Sequence, residues 1–93
     1  MIRSFADSDT EAFFWNGICP SQWRAFARVA ARKLDMLDYA ARLGDLRTPP
    51  GNRLEALKAD RRGQHSIRIN DQWRICFRWT SNGPEDVEIV DYH

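Results

Sequence analysis

The stretch Trp73-Arg74-Ile75-Cys76-Phe77-Arg78-Trp79-Thr80 decides the fold, because its large apolar side chains fall on every second residue. A period of two is that of a β-strand, whose successive side chains point to opposite faces. Trp73, Ile75, Phe77 and Trp79 therefore share a face that has to be buried, and Arg74, Cys76 and Arg78 share the other. The same alternation predicts strands over 53–57, 64–70 and 86–92. Between them stand Asp60-Arg61-Arg62-Gly63, Asn70-Asp71-Gln72 and Ser81-Asn82-Gly83-Pro84. Short polar connections of this kind predict an antiparallel meander. A further short strand over 2–5 is weakly marked.

Upstream the period changes. Trp23, Phe26, Ala27, Ala30, Leu34, Leu37 and Ala41 recur at steps of three and four, predicting a helix over 21–43 with Gly44 as its stop. Its other face mixes Arg24, Arg28, Arg32 and Arg42 with Asp35 and Asp38, the pattern of a solvated surface. Before it, Ser8-Asp9-Thr10-Glu11 has the form of a capping box, in which two side chains satisfy otherwise unpaired backbone N–H groups. Phe13, Phe14 and Trp15 follow, so a short first helix is expected there. Asp45 to Asn52 contains Pro49 and Pro50, which lack backbone donors and bar the preceding helical turn, so this segment is a loop between the halves. The expected fold class is α+β, with two N-terminal helices and an antiparallel sheet in one domain over 1–93.

Composition bounds what such a chain does. Its 93 residues are 43% hydrophobic, with four Trp and five Phe, enough for a packed core; 29% charged residues argue against a disordered or membrane-resident chain. No apolar run approaches the roughly 18 to 20 residues a spanning helix needs, and residues 1–7 lack the apolar stretch of a secretory signal, so the expected location is cytoplasmic. Cys19 and Cys76 stand far apart without CxxC spacing, suggesting neither a zinc site nor a disulfide framework. Net charge is only +1, yet twelve of the fourteen cations are arginine, and between Arg47 and Arg78 eight cations meet three acids. Alternation places Arg68 opposite Ile67 and Ile69, so two adjacent strands turn arginines away from the core. That face is either a cationic floor for a nucleic-acid backbone or a merely solvated surface.

The last residues, Glu88-Ile89-Val90-Asp91-Tyr92-His93, bring a carboxylate, a phenol and an imidazole together. A terminal histidine alone proves nothing, since chain ends fray. Combined with arginines it supplies the parts for RNA cleavage without a metal or other cofactor. The ribose 2′-hydroxyl attacks its own phosphorus when a base takes its proton, an acid serves the departing 5′-oxygen, and cations stabilise the phosphate. The candidate cations are Arg68, Arg74 and Lys58; the candidate proton carriers are Glu55, Asp91, Tyr92 and His93.

The run Gly51-Asn52-Arg53-Leu54-Glu55-Ala56-Leu57-Lys58, the run Asp60-Arg61-Arg62-Gly63-Gln64-His65-Ser66-Ile67-Arg68-Ile69-Asn70, the following Gln72-Trp73-Arg74-Ile75-Cys76-Phe77, and the closing Val87-Glu88-Ile89-Val90-Asp91-Tyr92-His93 resemble the HigB-type toxins of the RelE/ParE superfamily. The resemblance implies two helices on a curved antiparallel sheet and ribosome-dependent cleavage of messenger RNA that arrests translation. It also implies a HigA-type antitoxin with a helix-turn-helix domain, through which alone operator DNA would be contacted, and no membrane. By position, Lys58, Arg68 and Arg74 would grip phosphate, with Arg61 and Arg78 adding to the phosphate-binding set. Asp91, Tyr92 and His93 would form the terminal part of the site. Some members have a histidine where this chain has Glu55, a carboxylate able to accept a proton but bringing negative charge toward the phosphate. His65 falls by alternation with Ile67 and Ile69 on the core side and is expected to be a packed or edge residue. Two other readings stand beside the nuclease: a ParE-like, non-catalytic poison of DNA gyrase, and a non-catalytic RNA- or ribosome-binding domain.

Overall fold

A computed structural model describes residues 1–91 of the chain. Two α-helices, α1 (Ser8–Asn16) and α2 (Ala27–Tyr39), precede four strands: β1 (Glu55–Ala56), β2 (His65–Arg68), β3 (Trp73–Thr80) and β4 (Gly83–Asp91). The strands form one sheet in the order β1-β2-β3-β4, each pair antiparallel, as a meander of short connections requires. The α+β fold class expected from the sequence is the one observed.

The core lies between α2 and one face of the sheet. Ala30, Leu34 and Leu37 of α2 meet Ile67, Ile75, Phe77 and Val87, all wholly buried. Trp73 and Trp79, on the same face, are half-buried, with Trp73 packed on Phe26 in a tilted pair, 5.1 Å between ring centres. In β4 an extra residue opposes the stretch from Cys76 to Arg78, and Asp86 there takes a left-handed φ of 53°. A bulge of this kind bends its strand and increases the local twist. The β3–β4 turn carries Gly83 at φ 121°, where a Cβ would stand 2.6 Å from the Met1 carbonyl oxygen. Only glycine admits both the dihedral and that approach.

The outer edge of β4 is closed by the N-terminal segment and α1. Ala6 donates to the Val87 carbonyl at 2.9 Å, Val87 to that of Ser4 at 3.1 Å, and the Ile89 N–H to the buried Thr10 hydroxyl at 3.2 Å. The weakly marked strand over 2–5 is thus a short parallel bridge at Phe5 and Val87.

Three local expectations are corrected. The capping box at Ser8 and Glu11 does not form. Asp7 is the N-cap, extended at φ −143° and without a side-chain cap bond, because pairing with β4 holds the chain extended up to that residue. The helix expected over 21–43 is divided: 21–26 is a 3₁₀ turn, and α2 ends at Tyr39. Its C-terminal extension is lost to Asp45, whose carboxylate accepts from the N–H groups of Ala41 and Arg42 at 3.0 and 3.1 Å. Ala41, expected in the buried seam, is therefore exposed. The strand expected over 53–57 keeps two residues, with Arg53 left-handed at φ 45° before it. No helix among the described residues is long and apolar enough to cross a membrane.

Candidate active site

The face of the sheet turned away from α2 is set by register. Glu55 pairs with Ser66, Ser66 with Cys76 and Cys76 with Glu88, while Arg68 pairs with Arg74 and Arg74 with Val90. Directly opposed residues share a face, so Glu55, Ser66, Arg68, Arg74, Cys76 and Glu88 all project to this side. Arg74 is at its centre. Its Nε donates to Ser66 Oγ at 2.7 Å and its Nη2 to the Arg53 carbonyl at 2.6 Å, and the Glu55 carboxylate lies 3.6 Å from the same nitrogen. A side chain held by this many partners has already lost its rotamer freedom, so further ordering on binding costs it little.

This face, which alternation offers either as a cationic floor or as a solvated surface, is only partly open. Of the outward residues of β3 only Arg78 is exposed; Arg74 is mostly covered and Cys76 is 0% exposed. The arginines lie against acids from neighbouring segments: Arg61 against Glu88 at 2.7 Å, Arg78 against Asp86 at 3.7 Å, and Arg68 against Asp71. Arg61 also donates to Gln64 Oε1 at 3.0 Å. Glu88 and Asp86 of β4 thereby offset part of the charge surplus read between Arg47 and Arg78. Burial pushes the Cys76 thiol up to about 11, with Glu88 and Glu55 adding to the rise against the opposing pull of Arg61 and Arg74.

Of the expected catalytic residues, Arg74 and Glu55 are brought together. Asp91 pairs in register with Trp73 and so falls on the core-facing side of β4, where Gln72 Nε2 donates to it at 3.0 Å. Tyr92 and His93 lie outside the described residues. Among the expected phosphate ligands, Lys58 is exposed in the β1–β2 connection, Arg61 and Arg68 flank the Arg74 cluster in their ion pairs, and Arg78 stands beyond the bulge. Sequence reading missed Ser66 and the Arg53 carbonyl. Alternation from Arg68 would put Ser66 on the right face, but no sequence pattern marks a backbone carbonyl as a ligand. His65 is, as expected, a packed residue, its ring stacked on Phe77 at 6.3 Å.

A cleft of about 230 Å³ borders the site, with Leu43, Arg47, Leu54, Glu55 and His65 in its walls. A larger one of about 440 Å³, beside the β3–β4 turn between Met1, Arg42, Trp79 and Asn82, contains none of the expected site residues. Among the described residues, no three His, Cys, Asp or Glu side chains come together as metal ligands.

A family model described as the RelE-like toxin of the type II toxin–antitoxin system HigB matches residues 3–93. The chain belongs to this family. Among similar HigB proteins, Toxin HigB-1 of Vibrio cholerae is 52% identical over 83 residues, covering 85% of this chain and 84% of that one. Endoribonuclease HigB of Proteus vulgaris is 28% identical over 93 residues, covering both chains completely. The fold extends to solved toxins of the superfamily. A chain of the YoeB–YefM complex from Staphylococcus aureus superposes with a TM-score of 0.56 at 16% identity, covering 100% of this chain and 98% of that chain. The YoeB/ParE toxin of Agrobacterium tumefaciens gives 0.52 at 20% identity, covering 99% and 96%. As a HigB-type toxin of the RelE superfamily, the chain is one half of a toxin–antitoxin pair.

Proposed function

We propose that this HigB-type toxin is a cytoplasmic, ribosome-dependent endoribonuclease that cuts messenger RNA by attack of the ribose 2′-hydroxyl on its own phosphorus. The single observation that carries the reading is Arg74 held on Ser66, the Arg53 carbonyl and Glu55, a preordered guanidinium beside a carboxylate. Glu55 takes the proton of the 2′-hydroxyl. The new P–O2′ bond forms as the P–O5′ bond breaks, leaving a 2′,3′-cyclic phosphate. Tyr92 or His93 protonates the departing 5′-oxygen. Arg74, together with Lys58 and Arg68, stabilises the charge on the phosphate oxygens, the largest contribution in reactions of this type. Arg61 and Arg78 hold flanking phosphates. Asp91, bonded to Gln72, steadies the end of β4 in this scheme. The nucleophile comes from the substrate, so the scheme calls for no metal and no cofactor. The activity named for the Proteus vulgaris relative supports it.

The partner in this reading is a HigA-type antitoxin with a helix-turn-helix domain, and operator DNA is reached only through it. The 93 residues form one toxin domain. Primer extension on ribosome-bound transcripts during induction tests the reading: cuts within codons are expected. Intact transcripts accompanied by DNA breaks would overturn it in favour of a gyrase poison, and arrest with neither would point to a non-catalytic binder.

A further inference from the structure

Lys33 sits on the inward face of α2 between Ala30 and Leu37, where only 7% of it is exposed. Among the described residues no carboxylate pairs with it. Its ammonium donates instead to Oδ1 of Asn52, which is wholly buried. Burial lowers the lysine's proton affinity, and Arg32 and then Arg68 lower it further. A charged group kept in such surroundings with a neutral partner is costly, and a methionine of similar length would be easier to bury.

The arrangement makes directional sense at Asn52. Lysine offers donors only, so it compels the amide to turn Oδ1 toward it, and Nδ2 must then face the other way. There it donates to the carbonyls of Leu46 at 3.0 Å and Thr48 at 3.4 Å, while the Asn52 N–H reaches the Pro49 carbonyl at 3.0 Å. The loop over 46–52 is gathered on this one side chain. Arg53 follows in a left-handed conformation, with its N–H on the Pro50 carbonyl at 3.1 Å, a geometry that L residues other than Asn and Asp seldom adopt unless their surroundings impose it. Its carbonyl receives Arg74, and two residues on Glu55 opens β1 beside the same guanidinium. Among the described residues, the Arg53 carbonyl and the Glu55 carboxylate, which both meet Arg74, therefore ride on the segment that Asn52 anchors.

We infer that Lys33 and Asn52 are positioning residues of the toxin site: the buried ammonium sets the Asn52 amide, which fixes the loop whose Arg53 carbonyl and Glu55 carboxylate aim Arg74. The inference rests on the reading of Arg74 as the phosphate ligand, but the aiming itself is measurable without RNA.

The test compares Lys33→Met, Lys33→Arg and Asn52→Asp, each alone and combined with Arg74→Ala. Asn52→Asp keeps an acceptor for Lys33 but sets a carboxylate oxygen against two carbonyls. By NMR, exchange of the Arg74 Nη–H protons should rise about tenfold in Lys33→Met and Asn52→Asp, as expected for loss of the hydrogen bond to the Arg53 carbonyl, with core amides such as that of Phe77 unchanged. Lys33→Arg, which retains a donor, should restore protection. Unchanged Nη–H exchange in both damaging variants would overturn the inference whatever the enzymology. On programmed ribosomes kcat should fall about ten- to a hundredfold with KM little changed, and should fall no further in the Arg74→Ala background. An equal loss on that background would reduce the pair to general scaffold and also overturn it. If the unaltered chain cuts no transcript, the nuclease reading fails by itself, and the exchange result decides the positioning. Should Lys33→Met not fold, Asn52→Asp and Lys33→Arg supply the same comparison.

Discussion

The guanidinium of Arg74 lies 3.6 Å from the carboxylate of Glu55, with 12% of the first side chain exposed against 50% of the second. The arginine is thus a constrained member of the sheet, while the carboxylate can still exchange partners with a ligand. Glu55 and Arg74 come from strands at the edge and in the middle of the sheet, bridged by Ser66 of β2. This division suits a cation that waits in place and an acceptor that moves a proton.

Replacing Arg74 by alanine should relieve growth arrest and lower transcript cleavage by about 10²- to 10³-fold, the usual effect of losing one preorganised donor to developing charge. The buried Ser66 hydroxyl loses its partner, so stability should fall by about 1–3 kcal/mol without loss of fold. Continued arrest at matched expression would exclude Arg74 from the site.

Glu55→Gln separates chemistry from scaffolding. A half-exposed ion pair contributes at most about 1 kcal/mol, so the melting temperature should barely move. Cleavage should nevertheless drop by about 10²- to 10⁴-fold if the carboxylate accepts the 2′-hydroxyl proton. Retained single-turnover cleavage would pass that role to another group.

Thr10→Val keeps the shape of a wholly buried side chain but deprives the Ile89 N–H of its acceptor. The expected loss is about 1–3 kcal/mol, with Ile89 exchange accelerated above that of other β4 amides. Uniform exchange along the strand would mean that α1 does not close this edge.

Phe77→Ala should cost about 3–5 kcal/mol by opening a cavity in the centre of the core, a large part of a small domain's stability. Trp73→Ala, at a half-buried position, should cost less. Urea midpoints check the ranking; the reverse order would move the centre of the core toward Trp73.

Cys76 provides a pH readout. Its folded-state value is raised from 9.0 to about 11, so the neutral thiol stabilises the fold fully below pH 9 and that contribution is lost as pH rises toward 11. In a Cys19→Ser background, alkylation by iodoacetamide should be slow at neutral pH and climb only near pH 11. A climb centred near 9 would mean that the thiol is not buried under Arg61, Arg74 and Glu88.

Much of this was legible in the chain. The order of elements, the core face of β3 and the place of His65 follow from side-chain periodicity alone. The errors arose where another segment competed with a local pattern. Asp45 ended α2 short of Leu43, and pairing of Ala6 with Val87 displaced the cap of α1 by one residue. Sequence reading passed over Lys33, a cation between Ala30 and Leu37 of the apolar seam, and nothing in the sequence names Asn52 as its acceptor.

Periods of two and of three to four, together with proline and glycine positions, determined that helices precede an antiparallel sheet and most of the side chains that pack between them. Those signals are local, because backbone geometry repeats from residue to residue. The partners of each arginine were decided only in three dimensions. Ser66 and the Arg53 carbonyl reach Arg74 from 8 and 21 residues away, and Glu88 reaches Arg61 from 27. Such pairings depend on strand register and loop closure, which is why arginines of one basic stretch of sequence came to lie against acids from other segments.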